Sequence, residues 1–144
     1  MARGGLLLTD LARFEGLAWL ALRLFVGGFL VWGVWDNIGD AARMAEFETF
    51  LARLGCPLPH MAAPLSVWTQ LVAGGLIITG LFMRAAGVLL MANFIVAVIL
   101  LALAGQDLRQ LFPPAILIFI GAVFATSGAG RFSLDQVLTG SRRR

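Results

Sequence analysis

The sequence predicts an all-α fold: an integral membrane four-helix bundle, with residues 1–144 as one transmembrane domain and an extra amphipathic helix in the first external loop. Three observations predict it. Hydrophobic residues make up 60% of the chain and charged residues only 13%, about half the ~25% charge of a soluble domain. Mean hydropathy is +0.90, more apolar surface than a water-soluble core of this size can hide. The apolar residues also gather into four stretches, each long enough to cross roughly 30 Å of hydrocarbon at ~1.5 Å per residue. This balance excludes a soluble enzyme, a disordered tail and a nucleic-acid module. The net charge of +3 and pI of 11.0 therefore speak to topology, with membrane lipid and no nucleic acid as the expected surroundings.

The first span runs over about 16–35, interrupted only by Arg23. It has no small-residue cleavage pattern, and the residues before it do not make a signal peptide. The second, about 61–83, is free of charge between His60 and Arg84, and the third, about 85–106, follows almost at once. These two form a tight hairpin turning at Arg84. The fourth, about 111–127, is the shortest, and Pro113 and Pro114 fall in its first turn, where a missing N–H does no harm.

An even number of spans puts both termini on one side. That side carries Arg3, Arg13, Arg84, Arg131, Arg142, Arg143 and Arg144, against Arg43, Arg53 and Arg109 on the other. The excess predicts cytoplasmic N- and C-termini in a bacterial inner membrane. Asp36, Asp40, Glu46, Glu48 and Asp107 fall on the external side. Trp32, Trp35 and Trp68 are expected near the outer interface and Trp19 near the inner one. In the long external connection, Met44, Phe47, Phe50, Leu51 and Leu54 repeat at helical spacing, between Gly39-Asp40 as start and Gly55, Pro57 and Pro59 as stop. They predict an amphipathic helix over about 40–54 on the outer membrane surface, serving as a lid on the bundle or as a docking element for a partner.

A weak repeat relates the first two spans: Arg23-Leu24-x-x-Gly27-Gly28 aligns with Gln70-Leu71-x-x-Gly74-Gly75. Lipid gives helices no hydrophobic reason to associate, so close approach at small residues supplies the packing. The two spans are expected to touch at Gly27, Gly28, Gly74 and Gly75.

Few residues here carry chemistry. A cation at the centre of a membrane helix costs about 2.5–3.5 kcal/mol on insertion scales, so Arg23 either snorkels beside Trp19 or turns inward, pairs with an acid and offers donors to a ligand. Asp135 is the acid expected close to Arg23, Arg84 or Arg131, forming a charge cluster at the inner face. Ser133 followed by Gln136 is an N-cap signature for a short terminal helix that would tuck Asp135 under the bundle. Asn93 and Gln70 lie within the spans, Gln70 in the outer third of its own, and each requires a hydrogen-bonding partner in lipid, as interhelical contact or as ligand contact. Cys56 is the one cysteine, so the chain holds no disulfide or CxxC pair. Cys56 and the lone His60 do not make a metal site. No nucleophile has an adjacent base, and no phosphate-binding loop is present.

With those residues in view, the chain resembles the DoxX family of small four-helix bacterial inner-membrane proteins over nearly its whole length. The resemblance rests on Leu22-Arg23-Leu24 followed by Gly33, the loop 47–59, Gly74-Gly75 through Gly80-Leu81-Phe82-Met83-Arg84, and the terminal Gly128-Ala129-Gly130-Arg131-Phe132-Ser133-Leu134-Asp135. The last is the most specific. Many members have a lysine where Asp36 stands, and a glutamate is common at the position of Gln70. The family includes a small subunit of thiosulfate:quinone oxidoreductase and a component of a membrane complex handling thiol stress. The resemblance thus implies a non-catalytic or quinone-facing subunit of a membrane oxidoreductase system, with partner proteins supplying redox centres, more than an enzyme alone. No covalently bound cofactor is expected, and quinone is the candidate ligand. Arg23, Asn93 and Asp135 would then be inner polar contacts, and Gln70, Trp32 and Trp68 would line the outer half. The alternatives are a binding or transport protein for a small lipophilic molecule, and a scaffold for membrane-protein assembly.

Overall fold

A computed structural model describes residues 9–140. A short 3-10 stretch, Thr9–Phe14, leads into α1 (Glu15–Gly39), followed by α2 (Ala41–Arg53), α3 (Pro59–Thr79), α4 (Met83–Leu103), α5 (Leu108–Ser127) and the short α6 (Leu134–Gly140). α1, α3, α4 and α5 are long and apolar enough to cross a membrane, and together they make an all-α membrane bundle. The end holding the α3–α4 corner is called here the arginine end, and the other the α2 end.

Local chemistry sets each boundary. Asp40 closes α1 and opens α2 at one residue: its N–H donates to the Asp36 carbonyl at 3.0 Å, while its carboxylate accepts from the Ala42 N–H at 2.8 Å. Pro59 stands at the start of α3, the position its fixed φ suits. Gly80, at φ +66°, ends the same helix in the left-handed conformation that side chains resist. The hairpin therefore turns at residues 80–82, two residues before the expected Arg84, which sits in the first turn of α4. Asp107 caps α5 by accepting from the Gln110 N–H at 3.0 Å. That earlier start puts Pro113 and Pro114 in the second turn instead of the first. Each denies one carbonyl, on Arg109 and Gln110, its helical donor, and both of those residues are exposed.

The four long helices pack as two close pairs. In α1 and α3, a Cβ added at Gly27 would lie 2.8 Å from the Gly74 carbonyl oxygen, and one at Gly74 would lie 2.9 Å from the Gly27 oxygen. These two backbones touch. Gly28 and Gly75 face open space within 4 Å, so only the first glycine of each expected pair makes the crossing. A second crossing, which the sequence reading missed, joins α4 to α5 at Gly87 and Gly121, where added Cβ atoms would meet the opposing carbonyl oxygens at 2.6 and 2.8 Å. The pairs join mainly through α3 against α4. Val26, Leu30, Ile77, Met83, Ala86, Leu90, Leu117 and Phe124 form their common core.

α2 packs on α3 and α1, with Leu51 and Leu54 buried. Trp19 sits one turn into α1 at the arginine end, its ring 5.8 Å from that of Phe124. Trp32 and Trp35 are exposed near the α2 end of α1. Trp68, expected at an interface, lies instead about halfway along α3, because that helix starts at Pro59 and stops at Thr79.

The two kinds of glycine separate in a stability test. Gly27→Ala and Gly74→Ala should each lose about 1–3 kcal/mol through forced separation of packed backbones. Gly28→Ala and Gly75→Ala should be neutral or gain up to ~1 kcal/mol of helix propensity. Unfolding in mixed micelles of rising denaturing-detergent fraction measures both.

Candidate functional site

Two polar constellations lie within the bundle. At the arginine end, Arg23 is 2% exposed. Its side chain runs back along α1 toward that end and then turns into the protein. Nε donates to the Ile77 carbonyl at 3.0 Å and Nη2 to the Ile78 carbonyl at 2.9 Å. Nη1 donates to the Ala129 carbonyl at 3.1 Å and to that of Phe132. Ile77 and Ile78 belong to the last turn of α3, whose carbonyls lack the usual i+4 donors and carry the negative end of the helix dipole; that of Ile77 also accepts from the Gly80 N–H at 3.2 Å. Ala129 and Phe132 lie in the strand of chain between α5 and α6. Arg23 thus closes the C-terminus of α3 and folds the post-α5 segment onto it. Gly80 is needed for this twice, since an added Cβ would also lie 2.7 Å from both Arg23 Cζ and Ser133 Cβ.

Asp135 completes the corner. Its carboxylate accepts from the Phe82 N–H at 2.8 Å and the Met83 N–H at 3.0 Å, and its own N–H donates to the Gly80 carbonyl at 3.1 Å. Phe82 is the residue before α4, offers no capping side chain, and holds φ +47°, a conformation that costs a non-glycine residue about 1–2 kcal/mol. A carboxylate 53 residues onward supplies the missing cap and suits the positive end of the α4 dipole. Arg84 treats α5 as Arg23 treats α3: its Nη1 donates to the Ala125 and Thr126 carbonyls at 3.0 and 2.8 Å. Ser133 accepts from the Gln136 N–H at 3.2 Å, capping α6.

The second constellation is a cavity of about 440 Å³ between α2, α3 and α4, toward the α2 end. Phe47, Phe50, Leu51 and Leu54 form its α2 wall, and the lining of α3 and α4 is apolar except for Ser66, Thr69, Gln70 and Asn93. Gln70 Nε2 donates to Ser66 Oγ at 3.2 Å. The Asn93 amide has no hydrogen-bond partner among the described residues. The volume lies within the ~300–1,000 Å³ of small-molecule pockets, which pair apolar walls with a few polar groups.

The structure therefore divides the residues expected at one site. Gln70 and Asn93 share the cavity. Arg23 is not among the residues that line it; its guanidinium donates to four backbone carbonyls instead. Trp32 and Trp68 do not line it either; both are exposed, 78% and 53%, on faces turned away. Of the expected charge cluster, Arg23, Arg84 and Asp135 all bind backbone at the arginine end, and the Asp135 charge acts on Arg23. Arg131 is exposed and makes no hydrogen bond or ion pair among the described residues. Cys56 is half-buried and His60 exposed, both outside the cavity. No group of three metal-binding side chains occurs among the described residues. The α2 wall was legible as an apolar helical stripe and a lid on the bundle, but not as one wall of a cavity shared with Gln70 and Asn93.

The DoxX family profile matches residues 18–103, well over half the chain, spanning α1 to α4 and both cavity amides. The chain belongs to the DoxX family. The match ends before the Gly128–Asp135 segment that closes the arginine end. No curated protein and no solved structure matches the chain.

Arg23→Lys should lose about 3 kcal/mol, since an ammonium cannot span four carbonyls fixed around a planar fork and leaves some unpaired in a dry site. Asp135→Ala should lose ~1–2 kcal/mol, the usual loss for a helix cap. Detergent unfolding reads both values. A double-mutant cycle between Arg23 and Asp135 should give a coupling beyond ~0.5 kcal/mol.

Proposed function

We propose that this membrane protein is a non-catalytic, quinone-facing subunit of an oxidoreductase system, whose own task is to hold a small lipophilic molecule between α2, α3 and α4. One observation carries the reading: an apolar cavity of about 440 Å³ is lined by an amide, Asn93, that no described residue satisfies. Asn93 is half-buried, and in hydrocarbon, where lipid offers it no hydrogen bond, an amide without a partner costs about 1–3 kcal/mol, which a ligand's carbonyl or hydroxyl would recover. The residues present fit a quinone. Their apolar walls suit its ring and tail, and an amide can donate to a carbonyl or accept from the hydroxyl of the reduced form. Bound there, a quinone supplies reversible uptake of two electrons and two protons. Asn93 and Gln70 orient the molecule, the α2 wall screens it from water, and partner proteins exchange the electrons.

The α2 wall also favours a second reading, a carrier for a lipophilic molecule, because one helix on two short connections covers the cavity. In either case we place the chain in a bacterial inner membrane with the arginine end in the cytoplasm. Arg13, Arg84 and Arg131 gather at that end, whereas Asp36, Asp40, Glu46, Glu48 and Asp107 lie at the other.

Purification in mild detergent, followed by mass spectrometry of extracted small molecules and proteins, tests the proposal. A quinone or similar molecule should accompany the protein, and Asn93→Leu should reduce its recovery about tenfold without loss of folded protein. Equal recovery from both proteins, or none from the wild type, overturns the reading.

A further inference from the structure

The observed helix ends change the depth of the two amides. Gln70 lies eleven residues into α3 and Asn93 ten residues into α4, each helix having 21 residues. At ~1.5 Å per residue, both stand about 15 Å from the helix start. The helices run in opposite directions, so the two amides share one level, close to the middle of the membrane. From there the cavity extends toward the α2 end, reaching Leu100 and Leu101 on α4 and Ala62 on α3. The span from Asn93 to Leu101 is about 12 Å by helix rise. No charged side chain is among its lining residues.

Taking the cavity as a ligand site, as proposed above, we infer that it selects an uncharged amphiphile whose compact hydrogen-bonding head lies at mid-membrane against Asn93 and Gln70. A phospholipid keeps its charged head at the membrane surface, and would leave both amides facing acyl chain. An ionised fatty acid would bring a carboxylate to the deepest part of the bilayer, where no cation in the lining answers it. Arg23, the one buried cation among the described residues, is committed to carbonyls elsewhere. An amide both donates and accepts, so Asn93 suits carbonyl and hydroxyl heads alike. With no hydrogen-bond partner among the described residues, it keeps both capacities open.

A matched pair of probes tests this in lipid nanodiscs: dodecanamide and dodecanoate, equal in chain length and differing in head charge, titrated at about pH 9, well above the usual carboxylate range. Binding is read by native mass spectrometry. Dodecanamide should bind at least about tenfold more tightly than dodecanoate, and Asn93→Leu should remove the difference. That variant deletes no side-chain hydrogen bond among the described residues, and its melting temperature checks that it folds. Equal binding of the two probes, or preference for the carboxylate, overturns the inference while leaving a ligand site in place. Binding of neither removes the site and the inference with it.

Discussion

A guanidinium held by four backbone carbonyls organises one end of this molecule. Helix C-termini in a membrane present unpaired carbonyls that lipid cannot satisfy, and a cation at the same depth has the complementary need. Arg23 meets both at once, tying α1 to the last turn of α3 and to the chain that follows α5. A carboxylate alone could accept two or three of those donors but would not fix where three segments of chain run. Arg84 on α5 and Asp135 on α4 repeat the principle with single helices. The arginine end is thereby built from side chains that finish helices other than their own.

The opposite end is built differently, and the difference makes room for a ligand. Gly27 against Gly74 and Gly87 against Gly121 bring helices together pairwise, while the core shared by both pairs lies mostly toward the arginine end, around Ile77, Met83 and Phe124. Farther along, α3 and α4 leave space that α2 covers from one side with Phe47, Leu51 and Leu54. Dispersion and small residues do the holding where helices touch; the space between them is left to a wall that is not itself a spanning helix.

Much of the fold was legible in the sequence. Apolar stretches of some twenty residues, three of them free of charge and one holding only Arg23, read as crossings, and Asp40, Gly55 and Ser133 mark helix ends by chemistry that is local to them. The contact of Gly27 with Gly74 followed from an internal repeat. Gly87 and Gly121 escaped notice because they stand singly, outside any repeat. The role of Arg23 was not legible for a deeper reason: backbone carbonyls accept its donors, and every residue has one, so no partner leaves a signature. Asp135 read as the cap of its own helix because the N–H groups it serves are 52 and 53 residues away. Placing Gln70 and Asn93 at one depth needed the ends of α3 and α4 to within a turn, and Pro59 and Gly80 set those ends earlier than hydropathy alone suggests.

The partners of Arg23 also impose an order of manufacture. A chain emerges from the ribosome N-terminus first, and Ala129 and Phe132 lie 106 and 109 residues after the arginine they bind. The first crossing segment therefore meets lipid while half of the carbonyls that will accept its donors are still untranslated, and α3 arrives to supply the other two. Assembly of this bundle closes at its tail: a chain cut just after α5 holds all four crossings but only two of the four carbonyls that its innermost guanidinium grips.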